Sequence, residues 1–566
     1  MGYESKQTHL LMGAKITEKS DIRFRTYAQD FTLHLPVLAA DLVKENVLAQ
    51  VINEVVEGIP MSELEVNYSK YGSPAYHPKM LIKVWTYAYC EKVYTSRPLA
   101  KKLREDVVFI WLSGNQRPDF KTLSNFRSVR MQGMIDVVFK TVLGYLVEQE
   151  YVDLEDLYID GSKWEANNNK YKRVWRKNTE RYKGGVLDRI SELLEQYQEL
   201  QLAEDAHYGN KDMSLHQPSE QISVILNSTD LQTAIERMEN DIAAQSDTSR
   251  HKAMTKVKNG LDKELPKLCK YEKQETLLSG RNSYSKTDTD ATMLRMKDEQ
   301  LLPGYNVEMT TSNQFAIAGS IHQSASDSVT LPSHWKQVER NVSGLVAEDW
   351  KPSATADAGY GSEENYDLLA AKEVNAYVKY PLWYKEKTGQ LAKRPFHLSN
   401  WAYDATEDIY ECPNHRKLKF RETEIRISKN GYERTLRVYE CESCEGCPFF
   451  KQCRGERARA DTNRTIRISP NLERHKATVK ALLETEEGKE KRSKRSTDVE
   501  TPFGDIKYNQ RHRRFILRGL EKVRIEFLFL LTAHNFRKIE CEKTGKWKEY
   551  YAQRAAKKAE KAKKGG

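Results

Sequence analysis

Three acidic residues have the types and neighbours that phosphodiester chemistry requires. Asp160 and Asp357 each follow a short apolar run typical of a β-strand, and Glu500 opens a segment of helical character. Carboxylate oxygens are the preferred ligands of hard cations such as Mg²⁺ and Mn²⁺. Two such cations can activate a water or hydroxyl nucleophile and stabilise the leaving oxygen. The three residues therefore predict a two-metal site acting on a phosphodiester.

Each of these acids also has a structural interpretation. Asp160 and Asp357 precede small residues, so either carboxylate fits the cap of a turn. Glu500 competes with Asp498 and Asp505 in the same segment. We favour Glu500 because the longer side chain lets a helix-borne ligand reach a site on neighbouring strands.

Pro502 and Lys507 refine the prediction for the glutamate segment. Proline fits best in the first turn of a helix, so Pro502 predicts that the helix begins close to Glu500. Seven residues at about 100° each almost restore the same helix face, so Lys507 is predicted to face the site with Glu500. The alternative for Lys507 is a solvent-exposed lysine.

Composition bounds the class of protein without deciding it. The 566 residues include 91 Lys+Arg and 81 Asp+Glu, a formal net charge of +10. That excess is consistent with a polyanionic partner, but it is ordinary for a chain of this length. We find neither an apolar run of about 18 residues, as a membrane span needs, nor the apolar core of a signal peptide. We expect a cytoplasmic, nucleoid-associated protein of three or four structural units.

A cysteine cluster predicts a second kind of metal site. Five of the eight cysteines lie between residues 412 and 453. Tetrahedral Zn²⁺ takes four thiolate or imidazole ligands, and short Cys-x2-Cys loops supply two of them. The alternative is a set of reduced thiols without a metal. Six candidates compete for four positions: Cys412, His415, Cys441, Cys444, Cys447 and Cys453.

The order of predicted elements indicates how the acids are brought together. Apolar residues recur at helical spacing in 1–150, and basic residues among them, including Lys121 and Arg127, predict a DNA-binding face. A solvated face on a packing domain is the alternative. Further on come a strand with Asp160, two strands, a helix, a strand ending at Asp357, a helix, a strand, and finally the helix with Glu500. That order matches a discontinuous RNase H-like α/β core with two insertions.

The predicted fold class is α+β and multidomain, with a mixed sheet flanked by helices. Residues 423–439 alternate in strand fashion around a Lys-Asn-Gly turn, which predicts a β-hairpin beside the cysteines. The predicted units are a helical N-terminal domain (1–150), three core parts (151–172, 285–385 and 471–545), a helical insertion (173–284), a small β-rich, zinc-ribbon-like insertion (386–470) and a basic tail (546–566).

Several sequence blocks resemble one family. Ile-Asp-Gly-Ser-Lys-Trp-Glu-Ala-Asn (159–167), Ala-Asp-Ala-Gly-Tyr-Gly (356–361) and Val-Glu-Thr-Pro-Phe-Gly-Asp-Ile-Lys (499–507) are similar to the catalytic blocks of bacterial insertion-sequence DDE transposases. Arg-Pro-Asp-Phe-Lys-Thr-Leu-Ser-Asn-Phe-Arg (117–127) is similar to the InsH-type N-terminal domain of that family. The blocks occur in the family's order between about residues 25 and 540.

The resemblance implies specific roles. Asp160, Asp357 and Glu500 would hold two Mg²⁺ or Mn²⁺ ions, and the enzyme would cleave element ends and transfer the 3′-hydroxyl to target DNA. The partners would be terminal inverted repeats and target DNA, with a homodimer in the synaptic complex. Lys507, Arg514, Lys121 and Arg127 are the predicted DNA contacts. The zinc ligands that match the family best are Cys412, Cys444, Cys447 and Cys453.

One position departs from the family. Related transposases often carry an Arg four residues before the Glu and a Tyr three before that Arg. Here those positions are Ser496 and Ser493, and Arg495 lies five residues before Glu500. Two other functions stay open: a DNA-binding protein derived from a transposase that does not cleave, and an RNase H-like nuclease that cuts without joining.

Overall fold

The computed structural model describes residues 25–29, 31, 38–208, 227–459 and 461–545. Its first unit is helical. Pro78 begins a long central helix of this unit, where its missing N–H costs nothing, and the Asp119 carboxylate caps a later helix by accepting from the Thr122 N–H at 2.6 Å. The helices are α1 (Ala39–Leu42), α2 (Val47–Glu57), α3 (Met61–Leu64), α4 (Pro78–Cys90), α5 (Ser96–Glu105), α6 (Val107–Leu112), α7 (Phe120–Asn125), followed by a π-helical turn (Phe126–Arg130), and α8 (Met134–Glu148).

The next segment leaves the helical unit through one long strand and then enters a helical arm. The arm has its own apolar core, which includes Val186, Tyr197, Leu231 and Leu261. Asn227 caps the second arm helix by accepting from the backbone N–H groups of residues 229 and 230 at 2.9 Å. The elements are β1 (Asp156–Glu165), β2 (Arg173–Trp175), α9 (Arg176–Tyr208), α10 (Ser228–Ala244) and α11 (Thr248–Leu278).

The central sheet is mixed. Its elements are β3 (Ser283–Ser285), β4 (Thr292–Arg295), β5 (Leu301–Ser312), β6 (Phe315–His322), α12 (Asp327–Val342), β7 (Ser353–Ala356), α13 (Glu363–Ala371), β8 (Asn375–Val378) and α14 (Trp383–Lys387). β1 runs antiparallel to β5 and parallel to β7. β5 also pairs antiparallel with β6 and β4, and β7 pairs parallel with β8. β2 and β3 form a separate two-stranded ribbon.

A second sheet carries the cysteine cluster. Its strands and the adjoining helix are β9 (Ala402–Asp404), β10 (Ile409–Glu411), β11 (Lys417–Ile427), β12 (Glu433–Cys441), α15 (Phe450–Arg454) and β13 (Thr465–Ile468). The strands form an antiparallel sheet in the order β13-β12-β11-β10-β9. The predicted hairpin between β11 and β12 is confirmed, with a left-handed Gly431 in its turn.

The last segment returns to the central sheet. Its elements are α16 (Pro470–Glu484), α17 (Glu486–Arg495), a π-helical turn (Ser496–Glu500), α18 (Thr501–Gly504), a second π-helical turn (Asp505–Asn509) and α19 (Leu520–Thr544). α19 is buried along most of its length between the sheet and the N-terminal helices. Gly319 on β6 permits this approach, since a Cβ there would lie 2.3 Å from Leu531.

The predicted α+β class is therefore confirmed. The helix bearing Glu500 begins at Glu486, so the prediction that it starts beside Pro502 is wrong. The adjoining π-helical turns change the hydrogen-bonding pattern around the proline, which otherwise disrupts a helix. Within the described ranges, no helix combines the length and apolar content needed to cross a bilayer. The predicted basic tail (546–566) lies outside the described residues.

Candidate active site

Asp160 lies in the middle of β1. It pairs with Met309 of β5, and the strand continues to Glu165, so the prediction of a strand-end aspartate facing a turn is wrong. Gly161 is part of the strand as well. A Cβ on Gly161 would lie 3.0 Å from the Tyr360 hydroxyl and 3.1 Å from Asp327, so glycine is needed for close packing.

Asp357 lies beside Asp160 because β1 and β7 are parallel neighbours. Tyr158 pairs with Thr355, and the two aspartates are each two residues further along their chains. The Asp357 carboxylate accepts from the Gly359 N–H at 2.8 Å and caps a short 3-10 turn. This aspartate therefore caps a turn and also faces the other acids.

Glu500 ends the π-helical turn that begins at Ser496. A π-helical turn closes with i→i+5 hydrogen bonds, one residue more than an α-helical turn. That extra residue brings Arg495, five positions earlier, beside Glu500, and the Arg495 guanidinium donates to the Glu500 carboxylate at 2.9 Å. The π-helical turn thus brings an arginine to Glu500, although Ser496 occupies the position where related transposases often carry one.

Arg495 links two of the three acids. Besides Glu500, it forms an ion pair with Asp160 at 3.4 Å. The guanidinium is 13% exposed, whereas the Glu500 side chain is 51% exposed. The spacing of Arg495 departs from the family pattern, yet the structure places it between Asp160 and Glu500.

Burial and the neighbouring carboxylates make it costly to ionise Asp160. Burial raises the pKa of Asp160 to about 6, and the nearby Asp357 and Glu500 carboxylates add to the rise. Arg495 opposes it because a positive charge favours the carboxylate. An all-carboxylate group of this kind, with its charge only partly balanced, has the donor atoms that Mg²⁺ or Mn²⁺ requires.

The two competitors of Glu500 have structural contacts. Asp498 is 2% exposed and accepts from the Thr311 hydroxyl at 2.7 Å and the Gln314 N–H at 3.1 Å. Asp505 accepts from the Gln510 side chain at 2.6 Å and forms an ion pair with His534 at 3.5 Å. Glu500, by contrast, lines an open cleft.

Lys507 lines the same cleft but is not the exposed lysine of the alternative interpretation. Its ammonium donates to the Ser162 hydroxyl at 2.6 Å and the Lys163 carbonyl at 2.8 Å, and it lies 4.1 Å from the centre of the Trp164 ring. Burial lowers the pKa of Lys507 to about 7, with the Lys297 charge adding to the fall. The lysine is therefore held against β1, beside Asp160.

The cleft has a volume of about 450 Å³ and an uneven charge distribution. Besides Asp160 and Glu500, the lining includes two further acids, Glu165 and Asp298, and six basic or aromatic residues. A phosphate backbone would meet cations next to the acids in such a cleft. The basic and aromatic lining residues are Lys163, Lys297, Phe503, Lys507, Tyr508 and Arg513.

Asp327, in the first turn of α12, was missed on the sequence. Its carboxylate accepts from the Asn306 side chain at 2.7 Å, and Asp357 contributes to raising its pKa, after burial. A carboxylate in the first turn of a helix is stabilised by the helix dipole. That position is the only sequence signal for Asp327. The signal does not indicate proximity to Asp357.

Two of the predicted DNA contacts, both in the helical unit, differ in their exposure. Arg127 is 3% exposed, donates to the Tyr89 hydroxyl at 3.0 Å and to the Tyr94 carbonyl, and stacks on Trp85. It is a core residue, so we correct its prediction as a DNA contact. Lys121 is exposed on α7, as the prediction requires.

Arg514 has a mixed environment. It donates to the Asn168 carbonyl at 2.7 Å and the Ala166 carbonyl at 3.2 Å, which fixes the chain just after β1. Its side chain nevertheless remains 44% exposed. Arg514 can therefore support the strand and present charge at the surface.

The cysteine cluster gathers around a small cavity of about 20 Å³. Cys444 accepts from the Arg464 N–H at 3.2 Å, and burial raises the pKa of Cys441 to about 12. His415 lies apart, 88% exposed and bonded to Glu411, so it does not line the cavity. The cysteines lining the cavity are Cys412, Cys441, Cys444, Cys447 and Cys453.

Comparisons with known proteins give matches in two separate parts of the chain. A family model described as a transposase DDE domain matches residues 411–540, which include Glu500 and Lys507. A second model, a transposase domain (DUF772), matches residues 38–129 in the helical unit. No curated protein and no solved structure matches the chain. Residues 38–129 and 411–540 are thus each similar to a transposase domain, and together the two matches support an insertion-sequence DDE transposase.

Proposed function

We propose that this protein cleaves the ends of an insertion element and transfers the resulting 3′-hydroxyl to target DNA. The observation that carries the proposal is the meeting of Asp160, Asp357 and Glu500, which are up to 340 positions apart in sequence. Their mutual effect on the pKa of Asp160 reflects that proximity.

The acidic group fits the divalent cations that such chemistry uses. Asp160, Asp357 and Glu500 would hold two Mg²⁺ or Mn²⁺ ions through carboxylate oxygens. Bound there, the ions would supply activation of the attacking oxygen and stabilisation of the leaving one. Arg495 forms ion pairs with Asp160 and Glu500, and its positive charge limits the repulsion between them and a DNA phosphate.

The sheet supports an RNase H-like core as the scaffold. In the order β6-β5-β1-β7-β8, the first three strands are antiparallel and the last two run parallel to β1. Parallel pairing of β1 with β7 puts the two aspartates side by side, and α17 with its π-helical turn packs on these strands. The helical arm and the cysteine-bearing sheet would be insertions in that core.

The cleft residues would position DNA. Lys507, bonded to β1 beside Asp160, would contact a phosphate near the scissile bond. Arg514 and Lys121 would contact the backbone at a distance from the chemistry, because both are accessible and cationic. Positioning and electrostatics, without a covalent intermediate, would then account for the enzyme's contribution.

The cysteine cluster would bind a structural Zn²⁺ ion. Cys412, Cys444, Cys447 and Cys453 line one cavity, and Cys441 is an alternative ligand beside them. Thiolates favour Zn²⁺ over the hard cations proposed for the cleft. The ion would hold the loop after β12 and helix α15 against the sheet.

Synapsis of two element ends would require a homodimer, acting at the bacterial nucleoid. A nuclease without strand transfer shares the same acids, so only the products separate the two functions. A non-cleaving DNA-binding protein is disfavoured by the acidic group, because uncompensated carboxylates repel phosphate.

The test is cleavage of labelled DNA carrying the element's own ends, with Mg²⁺ or Mn²⁺. We compare wild type with Asp160→Ala and, as a matched control, Glu155→Ala, which removes an exposed acid just before β1. We expect metal-dependent nicking and joined products from wild type and from the control, and neither from Asp160→Ala.

The outcomes separate the alternatives. Nicks without joined products would indicate a nuclease, and tight binding without cleavage in either metal would indicate a DNA-binding protein. Cleavage retained by Asp160→Ala would overturn the assignment of the acids.

A further inference from the structure

A second polar cluster lies on the opposite face of the central sheet, beneath α12. In the paired strands, Glu308 of β5 lies opposite Ser320 of β6, and Asn306 lies opposite His322. His334 of α12 covers them and is 0% exposed. Glu308 pairs with Gly161, whereas Asp160 pairs with Met309, so Glu308 and Asp160 lie on opposite faces of the sheet.

The two histidine rings converge on one hydroxyl. The Ser320 Oγ lies 2.6 Å from His322 Nε2 and 2.7 Å from His334 Nδ1, and Thr310 Oγ1 lies 2.7 Å from His334 Nε2. A serine hydroxyl has a single proton, so it can donate to only one of the two rings. Rotation of that hydroxyl about its Cα–Cβ bond would leave both ring nitrogens facing the same point.

Glu308 completes the group with an unsatisfied oxygen. The residue is 0% exposed, and one carboxylate oxygen accepts from the Thr330 hydroxyl. Among the described residues, Oε2 lacks a hydrogen bond of standard geometry, although the Tyr360 hydroxyl interacts with this carboxyl group. A buried carboxylate without a full set of partners is costly unless it is protonated or meets a cation.

We propose that Glu308, His322 and His334 bind one divalent transition-metal ion of the zinc type. Their potential ligand atoms all lie within 4.8 Å of one another. Among the residues that the structure describes, theirs is the sole group of three His, Cys, Asp or Glu side chains this close.

The donor set selects the class of ion. Two imidazoles and one carboxylate form a recurrent protein site for Zn²⁺, with bonds of about 2.0–2.2 Å. Tetrahedral geometry at such bond lengths separates ligand atoms by roughly 3.4 Å, so binding requires only a small contraction of the group. The all-oxygen ligands of the cleft favour Mg²⁺ or Mn²⁺ instead.

The ion would have a structural role behind the catalytic strand. It would link β5, β6 and α12 through one ligand from each. The same strand and helix carry Asn306 and Asp327, whose hydrogen bond supports the group beside Asp357. The inference stands independently of the proposed transposition.

The test is the zinc content of the full-length protein, measured by inductively coupled plasma mass spectrometry. Protein is stripped of metal, given enough Zn²⁺ to fill both the cysteine cluster and the proposed site in excess Mg²⁺, and desalted, so that the carboxylate cleft does not retain zinc. We expect His322→Ala to lose one zinc equivalent per chain relative to wild type.

His475→Ala is the matched control. His475 is also a largely buried ring bonded to a carboxylate, Asp367, at 2.6 Å, but within the described part of the chain no group of three possible ligands forms around it. It should keep the wild-type zinc content. Equal zinc in wild type and a folded His322→Ala variant would overturn the proposal and leave the cluster as a hydrogen-bonded network.

Cobalt spectroscopy of the wild-type chain covers the case in which the variant does not fold. Co²⁺ bound to the cysteines gives sulfur-to-metal charge-transfer bands, whereas the proposed site gives only the weaker visible bands of nitrogen and oxygen ligands. In excess Mg²⁺ we expect both sets of bands, and Glu308→Gln should lose only the second. Thiolate bands alone in the wild-type chain would overturn the proposal.

Discussion

The two faces of β1 hold their polar groups in opposite ways. Asp160 faces a cleft, where its carboxylate is 19% exposed and paired with an arginine. On the opposite face, Gly161 pairs with Glu308 of the neighbouring strand. Glu308 is 0% exposed and is surrounded by hydroxyl and imidazole groups. Successive residues of a strand point to opposite faces, so one step in sequence separates the two environments. Whether a carboxylate is open to ligands therefore depends more on the element that packs over it, such as α12, than on its residue type.

The same contrast occurs along a single helical segment. Asp498 and Asp505 bond to the sheet and to α19, whereas Glu500 between them reaches the cleft. Acids enclosed by donors stabilise the fold, and acids facing a cleft remain available to ligands.

The largest expected effect is that of Asp160→Asn. Cleavage should fall about a thousandfold, roughly 4 kcal/mol of transition-state stabilisation, because a metal ligand is lost. Thermal stability near pH 8 without divalent cations should rise. The folded pKa of about 6 exceeds the unfolded value of about 3.9, so ionisation destabilises the fold as pH rises through that interval. A lower melting temperature would mean that Asp160 is mainly structural.

Asp505→Asn should show the reverse pattern. Hydrogen bonds and His534 hold the pKa of Asp505 well below its usual value despite burial. Its contribution, about 2 kcal/mol, is therefore present above pH 4 and is lost as pH falls further. The melting temperature of the variant should lie below that of wild type at pH 7, and the gap should narrow progressively as the pH falls below 4. A gap independent of pH would contradict this assignment.

Thr310→Val tests the enclosed face. It removes the hydroxyl bonded to His334 and should reduce the free energy of unfolding by about 1–2 kcal/mol. Cleavage well below the melting temperature should not change. Thr423→Val, at an exposed strand position, is the control and should leave the unfolding midpoint in urea unchanged. Loss of cleavage in Thr310→Val at unchanged stability would show that the two faces are functionally coupled.

Arg495→Gln gives the smallest expected effect. The guanidinium competes with cations for Asp160 and Glu500, and a partly exposed ion pair is worth about 1 kcal/mol. Mn²⁺ should therefore bind about fivefold more tightly to the variant in the absence of DNA, as measured by electron paramagnetic resonance. Weaker Mn²⁺ binding would instead indicate that Arg495 chiefly positions the carboxylates.

Much of the architecture could be predicted from local patterns. The strands around Tyr305 and Phe315, the strand before Asp357 and the hairpin near Gly431 follow from alternation and turn residues, and each is present. Thr229, with Gln232 three residues later, predicts a capping box at the start of α10, but the cap is Asn227, two residues earlier. Asparagine and threonine both cap helices, so sequence alone separates them poorly.

The environment of individual side chains was less predictable. Arg127 belongs to a basic run yet packs on Trp85, and Lys507 is held against β1. Charge in sequence does not reveal whether aromatic rings and carbonyls surround it. Those partners come from distant parts of the chain.

By itself, the sequence determined the residue types and the order of the elements, and these carry the acids, the cysteines and the α+β class. Only the tertiary structure decided which groups meet. The π-helical turn before Glu500 places Arg495 among the acids, and α12 encloses Glu308 with two histidines. The physical reason is that hydrogen-bonding register and burial depend on packing between segments hundreds of residues apart, whereas composition and periodicity are local.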